Sequence, residues 1–176
     1  MRGWGTPNVR EDFGQRQGQE GQKSLRAPKK KEKRAMLYTR EHTWAKVTSQ
    51  GHVKVGLCEF PLICKQLKEI THVSTESMGE KVKQMEPFGA IETWDSVLDM
   101  HTPVSGKLKR INGRIRDDPN LLLQDPYGSG WIAEIDPINL EKEKKNLLSL
   151  VKYEEHCKEL CLGCPKKNCT LSSTSF

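Results

Sequence analysis

The sequence has few aromatic residues and no long apolar run. Of its 176 residues, 35% are apolar and 6% are aromatic. A membrane-spanning helix needs about 20 consecutive apolar residues, and charges interrupt every apolar run here within a few positions. The chain has only 6 cysteines, too few for a small domain that depends on disulfides. These absences exclude polytopic membrane proteins and disulfide-stapled miniproteins.

The net charge of +6 is confined to the N-terminal segment. Residues 1–35 contain 10 basic and 4 acidic side chains, whereas residues 36–176 contain 19 of each. Because the segment is rich in glycine, glutamine and charge and lacks apolar periodicity, we predict a disordered basic tail over residues 1–36. Alternatively, Met36 is the true start and the preceding residues are an upstream extension. Since the rest of the chain is neutral, its charge argues against a nucleic-acid partner.

No targeting segment is recognisable in the tail. A secretory signal needs an apolar stretch of about 7–15 residues, and a mitochondrial presequence is rich in arginine and serine and poor in acids. The tail has four acids and one serine. We interpret the basic run 29–34 as solvated charge, with a nucleic-acid or localisation patch as the alternative. We therefore expect a cytoplasmic protein with no membrane partner, or a protein of the mitochondrial matrix if the source is eukaryotic.

Short strands and turns dominate residues 37–138. Val53, Val55 and Leu57 alternate with other residues at a period of two, which is typical of a strand. Turns or loops are predicted at residues 49–51, 103–106, 117–119 and 125–130. Many short strands with glycine and proline turns predict a mainly β domain, either a small sandwich or a flattened barrel.

A different periodicity begins after the last predicted strand. Apolar and polar residues then follow helical spacing, at Leu140, Lys144, Leu147, Leu148, Val151 and Glu155. Asn139 is a suitable N-cap. We therefore predict one amphipathic C-terminal helix over residues 139–160, packed on the β domain.

The six cysteines fall into two groups. Cys58 and Cys64 have apolar neighbours and are predicted to be buried small hydrophobic residues. The other four lie at the C-terminus, from the end of the predicted helix into a Cys-rich tail over residues 161–176, at Cys157, Cys161, Cys164 and Cys169. Four converging thiolates can bind zinc or an iron–sulfur cluster. The alternative is free or redox-active thiols that a reducing cytosol keeps reduced.

Seven motifs, in order along the chain, resemble the H-protein of the glycine cleavage system. They are Tyr38–Trp44, Val55–Gly56, Glu86–Gly89, Glu92–Trp94, Pro103–Gly106, Asp117–Pro119 and Asp125–Trp131. The resemblance covers residues 37–159. It implies a lipoyl-domain fold, the barrel-sandwich hybrid in which two small sheets form a flattened barrel, here followed by a C-terminal helix.

The resemblance also implies a carrier without an active site of its own. In this family a lysine at a hairpin tip holds lipoate, and the cofactor supplies the chemistry. The implied partners are a PLP-dependent decarboxylase, an aminomethyltransferase, a dihydrolipoyl dehydrogenase and the lipoylating enzymes. Residues at matching positions that would dock with these partners are Glu92, Asp99, Tyr127 and Trp131.

The lysine itself is missing. The family pattern runs Glu-Ser/Thr-x-Lys-x-x-x-Asp, with a proline eight residues after the lysine. Here Glu92 and Asp99 match, and Pro103 lies eight residues beyond Asp95. Asp95 therefore occupies the lipoyl-lysine position, and we expect no lipoate there. The predicted function is an H-protein-like, non-lipoylated docking protein, and the alternative is an accessory redox or metal-binding protein that uses the Cys157–Cys169 cluster.

Other polar residues carry weaker predictions. The carboxylates of Glu92, Asp95 and Asp99 are interpreted as solvated charge on an exposed tip, with a metal or catalytic pair as the alternative. His42 is expected to be structural. His101 follows the hairpin and could approach the acidic tip.

Overall fold

The computed structural model describes residues 30–59 and 69–162. The strands in this part of the chain are β1 Leu37–Tyr38, β2 Thr43–Val47, β3 Val53–Leu57, β4 His72–Thr75, β5 Lys81–Val82, β6 Pro87–Glu92, β7 Val97–His101, β8 Gly106–Ile111 and β9 Trp131–Pro137. The helices described are α1 Lys30–Arg34, α2 Arg114–Asp117, α3 Leu121–Gln124, α4 Leu140–Glu143 and α5 Leu150–Leu162, with a 3-10 turn at Lys144–Asn146.

The described strands form two antiparallel sheets. Six strands lie in the order β1-β2-β3-β9-β8-β5, and three lie in the order β4-β6-β7. The predicted mainly β fold with a C-terminal helix is therefore confirmed. The two sheets do not join into a closed barrel.

The turn predicted at residues 49–51 is present and joins β2 and β3 in a hairpin. Gly51 has a φ of +80°, a left-handed conformation that glycine adopts without steric cost. The amide of Thr48 donates to the carbonyl of His52 at 2.8 Å and closes the turn. Further along β3, Gly56 lies against the indole of Trp44, and a Cβ at this position would collide with the ring. This close approach allows Trp44 to be fully buried.

The three-stranded sheet carries the β6–β7 hairpin. Its register runs from Pro87 opposite His101 to Glu92 opposite Val97, so residues 93–96 form the tip. Ile91 on β6 is fully buried beneath the sheet. Because side chains alternate along a strand, the opposite face of the hairpin is turned to solvent.

Two apolar clusters hold the fold together. The larger contains buried residues of both sheets, including Val55, Ile91 and Ile135. We call the second one the thiol–tyrosine cluster; it consists of Met36, Tyr38, Trp44, Cys58, Leu150, Tyr153 and Cys157. It packs α5 against β1, β2 and Cys58, the residue that follows β3. The predicted burial of Cys58 is confirmed, whereas Cys64 lies outside the described residues.

The single helix predicted over residues 139–160 is wrong. The segment breaks into α4, a 3-10 turn and α5. Leu148 is the reason, because its amide donates to the carbonyl of Tyr38 at 2.7 Å and its own carbonyl accepts from the Tyr38 amide at 2.9 Å. This bridge requires extended backbone and so interrupts the helix. Asn139 precedes α4, but its side chain makes no capping hydrogen bond.

The predicted disordered tail ends earlier than residue 36. Lys30–Arg34 forms α1, and Met36 is buried. The Lys33 ammonium lies 2.9 Å from the Glu59 carboxylate, and the Lys33 carbonyl accepts a hydrogen bond from the Tyr38 hydroxyl at 2.8 Å. The end of the tail therefore packs on the fold, while residues 1–29 lie outside the described part.

The loop predicted at residues 125–130 is present, and of the loop predicted at residues 117–119 only Asp117 is helical. Asp117 ends α2, and α3 begins two residues after Pro119 and buries Leu121 and Leu122. No helix within residues 30–59 and 69–162 is both long and apolar enough to cross a membrane.

Candidate functional site

The candidate site is the hairpin tip, residues 93–96. The amide of Thr93 donates to the carbonyl of Ser96 at 2.9 Å, and the amide of Ser96 donates to the Thr93 hydroxyl at 3.0 Å. These bonds close a short loop whose outermost residues are Trp94 and Asp95. Trp94 is 85% exposed, and Asp95 is exposed as well. The tip therefore presents an indole and a carboxylate side by side.

Hydroxyl groups of the same loop hold the Asp95 carboxylate. Its Oδ1 accepts from the Thr93 hydroxyl at 2.9 Å and from the Ser96 hydroxyl at 3.2 Å. Among the described residues, none forms an ion pair with Glu92, Asp95 or Asp99. The three carboxylates thus leave an uncompensated negative charge at this end of the hairpin.

The tip does not fit the cofactor that the resemblance implies. Lipoate would be joined by an amide to a lysine nitrogen, and the carboxylate of Asp95 cannot form that bond. Residues 84–106 contain no lysine. Lys107 and Lys109 follow on β8, where both are exposed, and the Lys109 ammonium lies 2.8 Å from Nε2 of His52. We therefore assign no step of lipoyl chemistry to the tip.

The solvent-facing side of the hairpin forms a second part of the site, which we call the outer face. It contains Glu92 opposite Val97 and Ala90 opposite Asp99. Val97 is 65% exposed although it is apolar. The family motif identifies the two acids but not Trp94 and Val97, whose exposure the strand alternation around the tip could have revealed.

Tyr127 was predicted to dock with partners, and it is packed by this chain. Its hydroxyl accepts from the Glu59 amide at 3.4 Å, and its ring lies 6.2 Å from that of Trp44. The Lys33 ammonium lies 4.6 Å from the ring centroid. Burial raises the pKa of the Tyr127 hydroxyl. These contacts stabilise the fold, and a docking role for Tyr127 remains a prediction.

Trp131, the other predicted docking aromatic, is half-buried at the start of β9. Lys54 and Arg110 lie over its ring, 4.8 Å and 5.4 Å from the centroid. Both cations also pair with the buried carboxylate of Glu134, at 3.4 Å and 3.2 Å. The exposed side of Trp131 is thus surrounded by cations of its own sheet, and its docking role also remains a prediction.

The thiols of the predicted metal site are directed inward where the structure describes them. Cys157 is buried in the thiol–tyrosine cluster, and the Tyr153 hydroxyl is within hydrogen-bonding reach of Cys157 and Cys58. Burial raises the pKa of the Cys157 thiol to about 11, although the bond from Tyr153 opposes this shift. Burial also raises the pKa of Cys58. Both groups are therefore neutral thiols near pH 7.

Within residues 30–59 and 69–162, no three histidine, cysteine or acidic side chains are placed to hold a metal ion. This result covers the acidic group at the hairpin tip. Cys164 and Cys169 lie outside the described residues, and Cys161 is half-buried one helical turn after Cys157. The four-cysteine zinc or iron–sulfur site therefore remains a prediction.

His42 and His101 occupy structural positions. Nδ1 of His42 lies 3.0 Å from the Tyr153 hydroxyl, in keeping with the expected structural role. His101 is at the far end of β7 from Asp95 and pairs with Pro87, so the expected approach to the acidic tip is wrong. Its carbonyl accepts from the Thr43 hydroxyl at 2.8 Å.

Comparison with known proteins identifies the family. The glycine cleavage H-protein family model matches residues 36–160. The chain belongs to the glycine cleavage H-protein family. It is 38% identical over 130 residues to the probable glycine cleavage system H protein of Pyrococcus abyssi, which covers 74% of this chain and 95% of the relative. It is 35% identical over 119 residues to the H protein of Oceanobacillus iheyensis, covering 68% and 91%.

A solved structure agrees with this assignment. The H protein of Mycobacterium marinum superposes with a TM-score of 0.61 at 28% identity, covering 69% of this chain and 95% of the other. H-proteins are lipoyl carriers that work with the glycine cleavage enzymes, and they are not enzymes themselves. The predicted family, fold and carrier class are thereby confirmed.

Proposed function

We propose that this chain is a non-lipoylated H-protein that docks with glycine cleavage enzymes, or with the enzymes of a related lipoyl relay, without carrying the arm. One observation carries the proposal: the hairpin tip keeps its closed turn but presents the Asp95 carboxylate. An aspartate accepts hydrogen bonds here, whereas the family chemistry needs an amine. The chain would then assist, regulate or scaffold its partners.

The surroundings of the tip support a retained docking surface. Glu92, Asp99 and Pro103 keep their positions relative to Asp95. The hairpin is paired without interruption from Gly89 to Glu92, next to the tip. Two hydrogen bonds between Thr93 and Ser96 close the turn, so the hairpin around Asp95 has a defined shape. Tyr127 and Trp131 are secondary docking candidates, because their rings are already engaged within the fold.

Intact mass tests the missing attachment. The wild-type chain and Asp95→Lys are co-expressed with a lipoate ligase in cells supplied with lipoate. We expect an unmodified wild type and an Asp95→Lys variant that gains one lipoyl group, because the ligase then meets a lysine on an otherwise intact hairpin. A lysine-bearing H protein in the same cells is the positive control.

Two outcomes would contradict the proposal. A wild-type chain that gains a lipoyl group would show that another residue accepts the cofactor. If Asp95→Lys stays unmodified while the control is modified, the lipoylating enzyme does not recognise this surface. The retained docking surface would then be rejected.

The alternative function, an accessory redox or metal-binding protein, gains no support from the described residues. It requires ionised sulfur ligands, whereas Cys157 is a buried thiol with a raised pKa. Zinc and iron analysis of the purified chain, with Cys161→Ser as the comparison, tests it. Stoichiometric metal that is lost in the variant would establish this alternative.

A further inference from the structure

The exposed apolar side chains of the hairpin have no role within the fold. Trp94 is the most exposed of the large apolar side chains in residues 30–59 and 69–162, at 85%. Trp44, by contrast, is fully buried. A solvated indole gives up apolar burial that a tryptophan usually obtains. It lies at the tip, three residues before the exposed Val97, where a hydrophobic anchor is accessible to a partner.

The tip is also ordered in advance of binding. The backbone bond from Thr93 to Ser96 and the reciprocal bond from the Ser96 amide to the Thr93 hydroxyl fix the loop. The register of β6 and β7 continues directly into this loop, from Glu92 opposite Val97. A rigid anchor loses little conformational entropy on binding. Insertion of the Trp94 indole into a pocket would therefore cost little ordering.

The charge around the anchor defines the chemistry of the partner. Residues 84–106 contain four acids and no lysine or arginine. Of these acids, only Glu86 forms an ion pair with a described residue, Lys83 at 3.4 Å. Val97 lies directly across from Glu92 and two residues before Asp99 on the outer face. An apolar centre with an acidic border is complementary to an apolar pocket with a basic border.

This charge also excludes two other kinds of partner. Nucleic acids and anionic lipid surfaces attract lysine and arginine, whereas the outer face would be repelled by both. A protein remains as the occupant. The basic surface around β8 and α2 of a second copy, at Lys107, Lys109, Arg110, Arg114 and Arg116, offers the right sign of charge, so self-association must be measured as well.

We propose that Trp94 is the hydrophobic anchor by which the hairpin docks into a basic-rimmed apolar pocket of a partner enzyme, with Val97 extending the apolar centre and the acids of the outer face as its border. The inference rests on the proposed docking function and identifies the residue that carries it. In this arrangement Trp94 and Asp95 lie at the tip position where other members of the family carry the lipoyl arm.

Calorimetric titration tests the anchor. The probes are a purified PLP-dependent glycine decarboxylase and a purified aminomethyltransferase of the glycine cleavage class. For the enzyme that binds, we expect Trp94→Ala to weaken the affinity about 30-fold, as loss of an anchor residue does, and Trp94→Phe to weaken it only a few-fold. Higher salt should weaken wild-type binding. Val151→Ala, at a residue 61% exposed on α5, is the matched control and should bind like the wild type.

The possible failures separate the two proposals. Binding that Trp94→Ala leaves within about twofold of the wild type overturns the anchor and leaves the docking function standing. Binding of neither enzyme rejects the docking function, and the anchor with it. Sedimentation of the chain alone tests whether a second copy binds the anchor instead. Self-association that Trp94→Ala abolishes would show that the occupant is a second copy and would overturn the proposal as stated.

Discussion

The hairpin tip and the thiol–tyrosine cluster are opposite arrangements of reactive side chains. The tip places Trp94 and Asp95 in solvent, with 85% of the tryptophan exposed. The cluster buries Cys58 and Cys157, which are 0% and 2% exposed. Side chains with functional groups are thus found in both regions, but only those of the tip are accessible to another molecule. The two regions therefore differ above all in solvent accessibility.

The electrostatic environments differ in the same way. At the tip, the carboxylates of Asp95 and Asp99 are exposed. In the cluster, burial favours the neutral forms, and the pKa values of Tyr38 and Tyr153 are raised along with those of the thiols. The Tyr38 and Tyr153 rings stack with centroids 4.8 Å apart. The cluster therefore packs α5 against the strands, while the tip stays accessible to solvent.

The largest difference should appear in stability. Tyr153→Ala removes a ring that is 5% exposed, its stacking on Tyr38 and its bond to His42. Removing a buried aromatic side chain costs about 3–5 kcal/mol, so we expect a loss of this size in the free energy of unfolding. Trp94→Ala, at the exposed tip, should change it by less than about 0.5 kcal/mol. Urea denaturation measures both.

Tyr153→Phe provides the control for the first variant. It keeps the ring and removes only the hydroxyl that bonds to His42 and reaches the two thiols, so we expect about 1 kcal/mol. Equal losses in Trp94→Ala and Tyr153→Ala would show that the tip is packed as tightly as the cluster. That result would contradict the difference in packing between the two regions.

Thiol reactivity should differ by about 100-fold between the two regions. At pH 8 a thiol with the pKa of about 11 found for Cys157 is almost entirely protonated, whereas an ordinary cysteine with a pKa near 8.5 is partly thiolate. We therefore expect iodoacetamide to modify Cys157 at least about 100-fold more slowly than a cysteine introduced at the tip by Asp95→Cys. Peptide mapping by mass spectrometry follows both sites in one protein.

The alkylation rates of Cys157 and of the cysteine at the tip should also depend differently on pH. Since only the thiolate reacts, the Cys157 rate should rise about tenfold per pH unit between pH 8 and 10, while the rate at the tip levels off above about pH 9. Cys157 in the protein unfolded in urea should react like the tip. Rapid alkylation of native Cys157 at pH 8 would instead mean an accessible thiolate and would favour the redox alternative.

How much of the fold follows from the sequence depends on how local its causes are. The alternation of Val53, Val55 and Leu57 and the glycine of the adjacent turn are local signals, and they predicted β3 and its hairpin correctly. The break in the C-terminal helix has a distant cause, because Leu148 pairs with Tyr38, about 110 residues earlier in the chain. Helical periodicity contains no trace of such a bridge.

The same distinction applies to the candidate site. Asp95 could be selected because a motif of fixed spacing surrounds it. The inward orientation of the Cys157 side chain could not be predicted, because it depends on contacts with Cys58 and Tyr38 on other elements. Spacing grouped Cys157 with the C-terminal cysteines, whereas packing groups it with the aromatic residues of the core. The exposure of Trp94 follows from the tip position, but only once the register of β6 and β7 is known.

The smallest expected effect concerns the order of the tip itself. Thr93→Val replaces the hydroxyl that accepts from the Ser96 amide and donates to the Asp95 carboxylate with a methyl group of similar size. Loss of such a bond costs about 1 kcal/mol, and the strand preference of valine offsets part of it. Thr93→Ser keeps the hydroxyl and should cost less than Thr93→Val in urea denaturation. If both variants are equally stable, the hydroxyl does not hold the loop, and the tip would differ from the cluster in rigidity as well as in exposure. A flexible tip would make insertion of Trp94 costly, so this result would also weaken the anchor.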